Sequence, residues 1–199
     1  MIQGRDILVA EIRTFVAVKI DERIREAISQ IQKLLRQGGS RVKWVEPHNL
    51  HITLKFLGDI KEDNLSLYYQ ALEKGVEDFS SFTLTFQGLG AFPSLKRPRV
   101  LWVGVKEGGN QLSALSKAIA TSLVQASLID EKELKNNRFS PHLTLGRIRS
   151  QKGLGELLKL VKENENFQGG TMEVNQVHFI KSTLTTKGPN YSVLKRLYL

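Results

Sequence analysis

Hydrophobic residues recur along the chain at two periods, and these periods predict its helices and strands. Apolar residues three and four positions apart predict four amphipathic helices, near residues 24–35, 65–76, 112–123 and 154–161. Asp21 precedes the first of these runs and is a good N-cap, whereas Gly38 and Gly39 follow it and should end the helix. Each of these helices should bury its apolar stripe.

Runs rich in β-branched and aromatic residues predict strands between the helices. They lie at residues 7–20, 42–45, 51–57, 82–89, 100–105, 141–148, 172–181 and 191–199. We expect turns at Gly58 and Asp59 and at residues 187–190, and a long basic loop at residues 90–98. The elements lack the short regular alternation of a doubly wound fold, so the pattern favours a mixed, largely antiparallel α+β fold.

Length and composition narrow the choice of protein class. A chain of 199 residues is long enough to bury a core as one domain or as two small lobes. The absence of cysteine excludes disulfides, thiolate nucleophiles and cysteine-ligated metal sites, and it fits a reducing cytosol. Neither a secretory signal nor a membrane-spanning stretch is visible, so we expect a cytoplasmic protein. The net charge of +9 fits binding of a polyanion such as nucleic acid and a solvated basic surface about equally.

Two of the four histidines open predicted strands in the same context. The first motif, residues 51–54, is His-Ile-Thr-Leu, and the second motif, residues 142–145, is His-Leu-Thr-Leu. Because side chains alternate along a strand, His51 and Thr53 share one face, as His142 and Thr144 do. One His-x-Thr could be an ordinary half-buried strand histidine, but two in matching contexts predict a site with two imidazoles and two hydroxyls.

This set of side chains suits phosphoryl transfer at a ribose ester. A neutral imidazole can take a proton from the nucleophile while a protonated imidazole gives one to the leaving oxygen, and histidine can do both near neutral pH. The threonine hydroxyls can donate hydrogen bonds to the phosphoryl oxygens in the transition state. The scheme requires no metal and no other cofactor.

The motifs and their flanks resemble those of the RNA 2′,3′-cyclic phosphodiesterase family, also called 2′-5′ RNA ligases, within the two-histidine phosphoesterase superfamily. The resemblance extends over nearly the whole chain, with matching pieces at residues 13–18, 49–58, 99–105, 139–147, 182–184 and 188–191. It implies one α+β domain over residues 1–199, made of two pseudo-symmetric lobes that each give one motif to a central basic cleft.

The same resemblance implies roles for the residues of both motifs. His51 would be the proton donor to the leaving oxygen, and His142 would be the proton acceptor that activates water. Thr53 and Thr144 would contact the phosphate. Arg147, five residues after His142, would bind phosphate or ribose.

Four further residues are candidates for substrate binding, and each also has an ordinary structural interpretation. Phe15 could stack on a base or pack in the core, and Arg13 could line the cleft or lie elsewhere on the surface. Tyr191 could reach the substrate or simply pack after its turn. Lys55 shares the face of Thr53 by alternation, so it could raise the potential near the phosphate or face solvent.

We therefore expect a monomeric hydrolase that converts 2′,3′-cyclic phosphate ends of RNA or nucleotides to 2′-phosphomonoesters, with 2′-5′ RNA ligation as a further activity. Its partners would be RNAs with a cyclic phosphate or a 2′-5′ linkage, including tRNA fragments. The alternatives are a 2′-5′ oligonucleotide phosphodiesterase and an RNA-binding or nucleotide-binding module with little turnover. His48 precedes the first strand and His178 has no following threonine, so both are expected to be structural.

Overall fold

Two antiparallel sheets and five helices form the computed structural model, which describes residues 10–135, 139–186 and 188–199. The described strands are β1 (Glu11–Lys19), β2 (Val42–Trp44), β3 (His51–Lys61), β4 (Phe82–Phe92), β5 (Val100–Glu107), β6 (His142–Ile148), β7 (Gln168–Val174), β8 (Gln176–Thr185) and β9 (Gly188–Tyr198). The helices are α1 (Glu22–Arg36), α2 (Leu65–Val76), α3 (Gly109–Gln125), α4 (Lys132–Lys135) and α5 (Gly155–Glu163). No described helix is both long enough and apolar enough to cross a membrane.

One sheet has four strands in the order β3-β1-β8-β9, and the other has five in the order β2-β6-β5-β4-β7. All neighbouring strands are antiparallel. The predicted α+β class with largely antiparallel sheets is therefore confirmed. Each sheet contains one strand that begins with a motif histidine, β3 in the first and β6 in the second.

Helices α1 and α3 each pack on the sheet that does not contain the strand preceding them in the chain. Helix α1 follows β1 of the four-stranded sheet, yet it contacts β7 and α5 on the five-stranded sheet. Helix α3 follows β5 of the five-stranded sheet, yet it packs mainly against α2 and β3. One continuous core cluster joins the buried faces of both sheets and includes Ile24, Ile52, Leu112 and Leu143. The two halves of the chain are therefore interleaved rather than merely adjacent.

The local signals that predicted α1 are confirmed in detail. The Asp21 side chain accepts a hydrogen bond from the backbone N–H of Ile24 at 2.8 Å, which satisfies one of the free donors at the helix start. The helix ends at Arg36, and Gly39 follows with a φ of +66°. The stripe Ile24, Ile28, Ile31 and Leu35 is buried, as its spacing predicted.

The turn predicted at Gly58 and Asp59 is wrong, because β3 continues through both residues to Lys61. Gly58 has a φ of +73° and pairs with Thr14 of β1. A glycine with positive φ allows an irregularity inside a continuing strand as readily as a chain reversal. The pairing with β1 therefore decides the structure here.

Two predictions in the C-terminal third are also corrected. The strand predicted at residues 172–181 divides at Asn175 into β7 and β8, which lie in different sheets. The apolar pattern marks buried positions but does not say which sheet buries them. Residues 188–190, predicted as a turn, belong to edge strand β9, where Pro189 can lack an N–H because no described strand pairs with the outer side.

Two smaller differences remain. Strand β4 extends to Phe92, so the basic loop is shorter than predicted. Between α3 and β6, where the sequence predicted neither a helix nor a strand, lies the short helix α4. Residues 7–9 of the first predicted strand and Lys187 of the predicted turn lie outside the described residues.

Candidate active site

A cleft of about 1100 Å³ lies between the two sheets and is lined by both motifs. His51 and Thr53 reach it from the start of β3, and His142 and Thr144 reach it from the start of β6. The four side chains are partly exposed, whereas the intervening Ile52 and the equivalent leucine of β6 are buried. The structure thus brings together the two imidazoles and two hydroxyls that the motifs predicted on one cleft.

A β-bulge lies at the last residue of the first motif. Thr53 pairs with Ala17 of β1, but Lys55, two residues further on, pairs with Val16, the direct neighbour of Ala17. Leu54 is therefore the extra residue of the bulge. Because a bulge interrupts alternation, Lys55 lies on the face of Val16, which belongs to the main core, and not on the face of the motif.

The second motif has a bulge at the equivalent position. Thr144 pairs with Trp102 of β5, and Gly146 pairs with Leu101, so that Leu145 is the extra residue on β6. Each motif strand therefore presents its histidine and threonine to the cleft and then changes register. The sequence signal for this feature would be the shared His-x-Thr-Leu context, which does not by itself indicate a bulge.

A buried helix side chain donates a hydrogen bond to the carbonyl of each bulged leucine. Ser116 Oγ of α3 donates to the Leu54 carbonyl oxygen at 2.7 Å. Gln32 Nε2 of α1 donates to the carbonyl oxygen of Leu145 at 2.8 Å and to that of Val45 at 2.9 Å. Because the helices exchange sheets, α3 supports the first motif and α1 supports the second. Sequence reasoning missed both residues.

Both histidine rings are held in the same way by a backbone carbonyl two residues earlier. Nδ1–H of His51 donates to the carbonyl oxygen of Asn49 at 2.7 Å, and Nδ1–H of His142 donates to that of Ser140 at 2.7 Å. A carbonyl can only accept, so each neutral ring carries its proton on Nδ1 and leaves the Nε2 lone pair available. Nε2 of His51 lies 3.0 Å from Thr53 Oγ1.

Asn49 also connects the first motif to the far hairpin. Its side chain is buried, and its Nδ2 donates to the carbonyl oxygen of Pro189 at the start of β9 at 3.0 Å. Pro189 and the neighbouring Tyr191 both line the cleft. Asn49 therefore fixes the position of one cleft wall relative to the His51 ring, a role that the sequence did not predict.

Burial lowers the pKa of both motif histidines from the ordinary value of 6.5. The hydrogen bonds to Asn49 and Ser140 oppose this shift, and the positive charge of Arg147 adds to it at both rings. Lys19 further lowers the pKa of His51. Arg147 therefore lies close enough to act electrostatically on both halves of the site, and both rings favour the neutral form in the free protein.

Aromatic side chains support both imidazoles. The rings of Phe15 and Tyr191 have their centroids 4.8 Å and 5.4 Å from that of His51, and the Phe92 ring is 4.9 Å from that of His142 in an edge-on arrangement. Burial raises the pKa of the Tyr191 phenol, so Tyr191 remains a hydrogen-bond donor in the cleft.

The prediction that Phe15 stacks on a base does not fit its surroundings. Phe15 is 3% exposed and lies beneath His51, Phe56 and Tyr191, so its ring supports the site from below. Phe56, which sequence reasoning missed, lines the cleft and is 58% exposed. Its register position opposite Phe15 follows from the bulge and could not be read from alternation.

Four of the five predicted binding residues line the cleft, and one does not. The four are Arg13, Phe15, Arg147 and Tyr191. Lys55 is buried on the other side of the strand, where its ammonium group forms an ion pair with Glu133 of α4. The Lys55 prediction is therefore corrected, because it assumed that alternation continues past Thr53.

The two histidines outside the motifs differ in their environment. His48, expected to be structural, is exposed in a short 3-10 turn and lines the cleft. His178 is buried in β8, and its Nδ1 has no hydrogen-bond partner among the described residues. Burial, with the nearby Lys19 and Arg196, lowers its pKa to about 4. His178 thus fits the structural role that was expected of it.

Comparison with known proteins agrees with this geometry. The family model described as LigT like phosphoesterase matches residues 18–102. The RNA 2′,3′-cyclic phosphodiesterase of Aquifex aeolicus is 41% identical over 192 residues, which cover 94% of this chain and 97% of the relative. The chain belongs to the RNA 2′,3′-cyclic phosphodiesterase family. The resemblance inferred from the motifs is therefore confirmed.

Solved structures of LigT-like proteins share the fold. A crystal structure from Thermus thermophilus is 30% identical, with a TM-score of 0.73 and coverage of 94% of this chain and 97% of that chain. The structure of E. coli LigT complexed with 3′-AMP has a TM-score of 0.74 at 23% identity, covering 95% of this chain and 98% of that chain. The predicted two-histidine phosphoesterase fold is thereby confirmed.

Proposed function

We propose that this chain hydrolyses 2′,3′-cyclic phosphate ends of RNA, with His51 and His142 as its acid–base pair. The observation that carries the proposal is the matched presentation of the two rings. Each imidazole is fixed through Nδ1 to a backbone carbonyl, which leaves its Nε2 for proton transfer in one shared cleft. The name of the Aquifex aeolicus relative supports the same substrate class.

In this mechanism His142 Nε2 takes a proton from a water molecule that attacks phosphorus. The bond between phosphorus and the 3′ oxygen breaks on the opposite side, and His51 donates a proton to that oxygen. The product is a 2′-phosphomonoester. Thr53 and Thr144 donate hydrogen bonds to the non-bridging oxygens, and Arg147 stabilises their charge.

The low histidine pKa values of the free protein are compatible with a protonated donor in the complex. A bound phosphate anion offsets the charge of Arg147, which is one of the causes that lower the pKa of His51. Substrate binding should therefore raise the pKa of His51 and favour its protonated form. No metal enters this scheme, and among the described residues no three His, Asp or Glu side chains form a metal-binding group.

The test is turnover of a nucleoside 2′,3′-cyclic phosphate with a chelator present. We expect His51→Ala and His142→Ala each to lower kcat/KM by about 100-fold or more, and Thr53→Ala and Thr144→Ala to lower it less. Near-normal turnover in both histidine variants would contradict the assignment. Phosphorus NMR of the product identifies the broken bond, and a predominant 3′-phosphate would overturn the proposed orientation.

A linear 2′-5′ dinucleotide in the same assay tests the alternative phosphodiesterase activity, and paired RNA ends test ligation. Binding of cyclic phosphate without turnover would favour the binding-module alternative. The expectations of a cytoplasmic location, a monomer and tRNA fragments as substrates stay predictions.

A further inference from the structure

One wall of the cleft concentrates positive charge on the paired strands β2 and β6. Lys43 of β2 stands directly opposite Arg147 of β6, and Arg149 lies two residues beyond Arg147. All three side chains line the cleft. None of them forms an ion pair with a described residue. Glu46 is the only carboxylate residue among the described residues that line the cleft.

This arrangement is unfavourable for the isolated protein. Like charges directly opposite each other on antiparallel strands repel, and a neighbouring acid would normally relieve the repulsion. Arg13 on another strand of the cleft shows the usual arrangement, because its cross-strand partner is Asp59. The pairing of Lys43 with Arg147 therefore indicates a surface that meets an anion.

The chemistry of the proposed substrate supplies a second anion at a fixed place. A 2′,3′-cyclic phosphate can stand only at the 3′ end of an RNA, so the chain must continue through the 5′ oxygen of the terminal ribose. The nearest further charge is the phosphodiester on that oxygen. The cleft volume of about 1100 Å³ slightly exceeds the upper range for a single small ligand, about 1,000 Å³, and leaves room for this group.

We infer that Lys43 and Arg149 form a second phosphate subsite, which binds the phosphodiester 5′ to the terminal nucleotide while Arg147 serves the cyclic phosphate. Arg149 directly follows the end of β6, and its backbone N–H donates to the carbonyl oxygen of Arg41 at 2.7 Å. Residues two apart in extended backbone are separated by about 7 Å, so Arg149 extends the positive wall beyond Arg147 by about that distance. The inference rests on the proposed function and deepens it: the preferred substrate is an RNA end and not a free nucleotide.

The experiment compares three substrates that differ only on the 5′ side. They are adenosine 2′,3′-cyclic phosphate, its 5′-phosphorylated form, and a dinucleotide that ends in a 2′,3′-cyclic phosphate. In the unchanged protein we expect both larger substrates to exceed the nucleoside in kcat/KM by about tenfold, the effect of one charge-assisted contact. Lys43→Met and Arg149→Met should each reduce this ratio toward one.

A matched control is available on α1. Lys33 is exposed and does not line the cleft, so Lys33→Met removes one positive charge without touching the wall. This variant should keep the ratio. The logarithm of the dinucleotide binding constant falls linearly with the logarithm of the salt concentration. The slope of this line should become shallower by about one unit in each variant at Lys43 or Arg149 and should not change in the control.

Several outcomes would overturn the subsite. One is a kcat/KM ratio near one between the larger substrates and the nucleoside in the unchanged protein. Another is a ratio that stays unchanged in both the Lys43 and the Arg149 variant. A gain for the 5′-phosphorylated nucleotide without one for the dinucleotide would show a phosphomonoester site instead. Calorimetric binding of the corresponding 2′-monophosphates gives the same ratios without turnover. Failure of the nucleoside itself to turn over therefore counts against the proposed function and can be told apart from failure of the subsite.

Discussion

Arg147 is the residue that couples the two halves of the site. Its positive charge contributes to the lowered pKa of both His51 and His142, whereas Lys19 contributes only at His51 among these two. A positive neighbour disfavours the imidazolium form, so its removal must raise the pKa of the ring. This difference allows the two histidines to be told apart in solution.

We predict that Arg147→Met raises the pKa of both motif histidines and that Lys19→Met raises that of His51 but not that of His142. NMR titration of the histidine rings in the free protein measures each pKa directly. The pH profile of kcat/KM should be bell-shaped, with both limbs moving to higher pH in Arg147→Met. If the Arg147 variant left both pKa values unchanged, the charge of Arg147 would not act on the two histidine rings.

The exposed ring of Phe56 should contact the terminal base in place of the buried Phe15. We predict that Phe56→Ala raises KM for a nucleoside cyclic phosphate by about tenfold, since stacking of a base on an aromatic ring contributes about 1–3 kcal/mol. Leu67, on α2 and outside the cleft, is 49% exposed and provides the control Leu67→Ala. Equal KM values for the two variants would argue against a base contact at Phe56.

The four motif residues could be predicted because they depend only on residue type, alternation and repetition of context. Lys55 was placed wrongly because alternation fails at the bulge at Leu54, which follows from the pairing of β3 with β1. Of the two interpretations of Phe15, the structure favours packing in the core. His48 was placed outside the site because nothing in its own segment shows that the cleft lies beside it. Alternation is thus a sound guide only up to the first irregularity.

The elements that hold the motifs are the bulges and the helices that support them. Ser116 of α3 is fully buried and donates to the carbonyl of Leu54, the last residue of the first motif. Ser122 on the same helix is also buried but donates to the carbonyl of Ala71 on α2, which belongs to neither motif strand. Substitution of each serine therefore distinguishes an effect on stability alone from an additional effect on the active site.

We predict that Ser116→Ala and Ser122→Ala each lower the free energy of unfolding by about 1–3 kcal/mol, because each leaves a buried carbonyl without its side-chain donor. Only Ser116→Ala should also lower kcat, since it releases the bulge that fixes His51 and Thr53. Urea denaturation and steady-state kinetics provide the two measurements. A kcat unchanged in both variants would reduce Ser116 to a purely structural role.

Helix positions were predictable from their apolar stripes, and most strands from their composition. What the stripes could not indicate is the partner, because an amphipathic pattern shows that a face is buried but not against which sheet. This limit explains both the division of residues 172–181 between two sheets and the exchange of α1 and α3. The prediction of one domain made of two lobes stays a prediction.

The exchange of helices has a consequence for the molecule as a whole. Since α1 covers the five-stranded sheet and α3 covers the four-stranded sheet, neither half of the chain can bury its own sheet alone. The main core cluster is continuous across both sheets. Separate unfolding of one half would expose the apolar face of the other, at a cost of about 25 cal/mol for each Å² exposed.

We therefore predict a single cooperative unfolding transition. Calorimetry should give equal calorimetric and van't Hoff enthalpies, and far-ultraviolet circular dichroism and tryptophan fluorescence should report the same midpoint. The fluorescence is informative because Trp44 on β2 and Trp102 on β5 both lie in the five-stranded sheet, whereas circular dichroism reports on both sheets. Gln32→Leu should shift both signals together, since Gln32 joins α1 to the second motif strand. A fluorescence transition that preceded the loss of secondary structure would show that the two halves unfold independently and that the interleaving does not couple them.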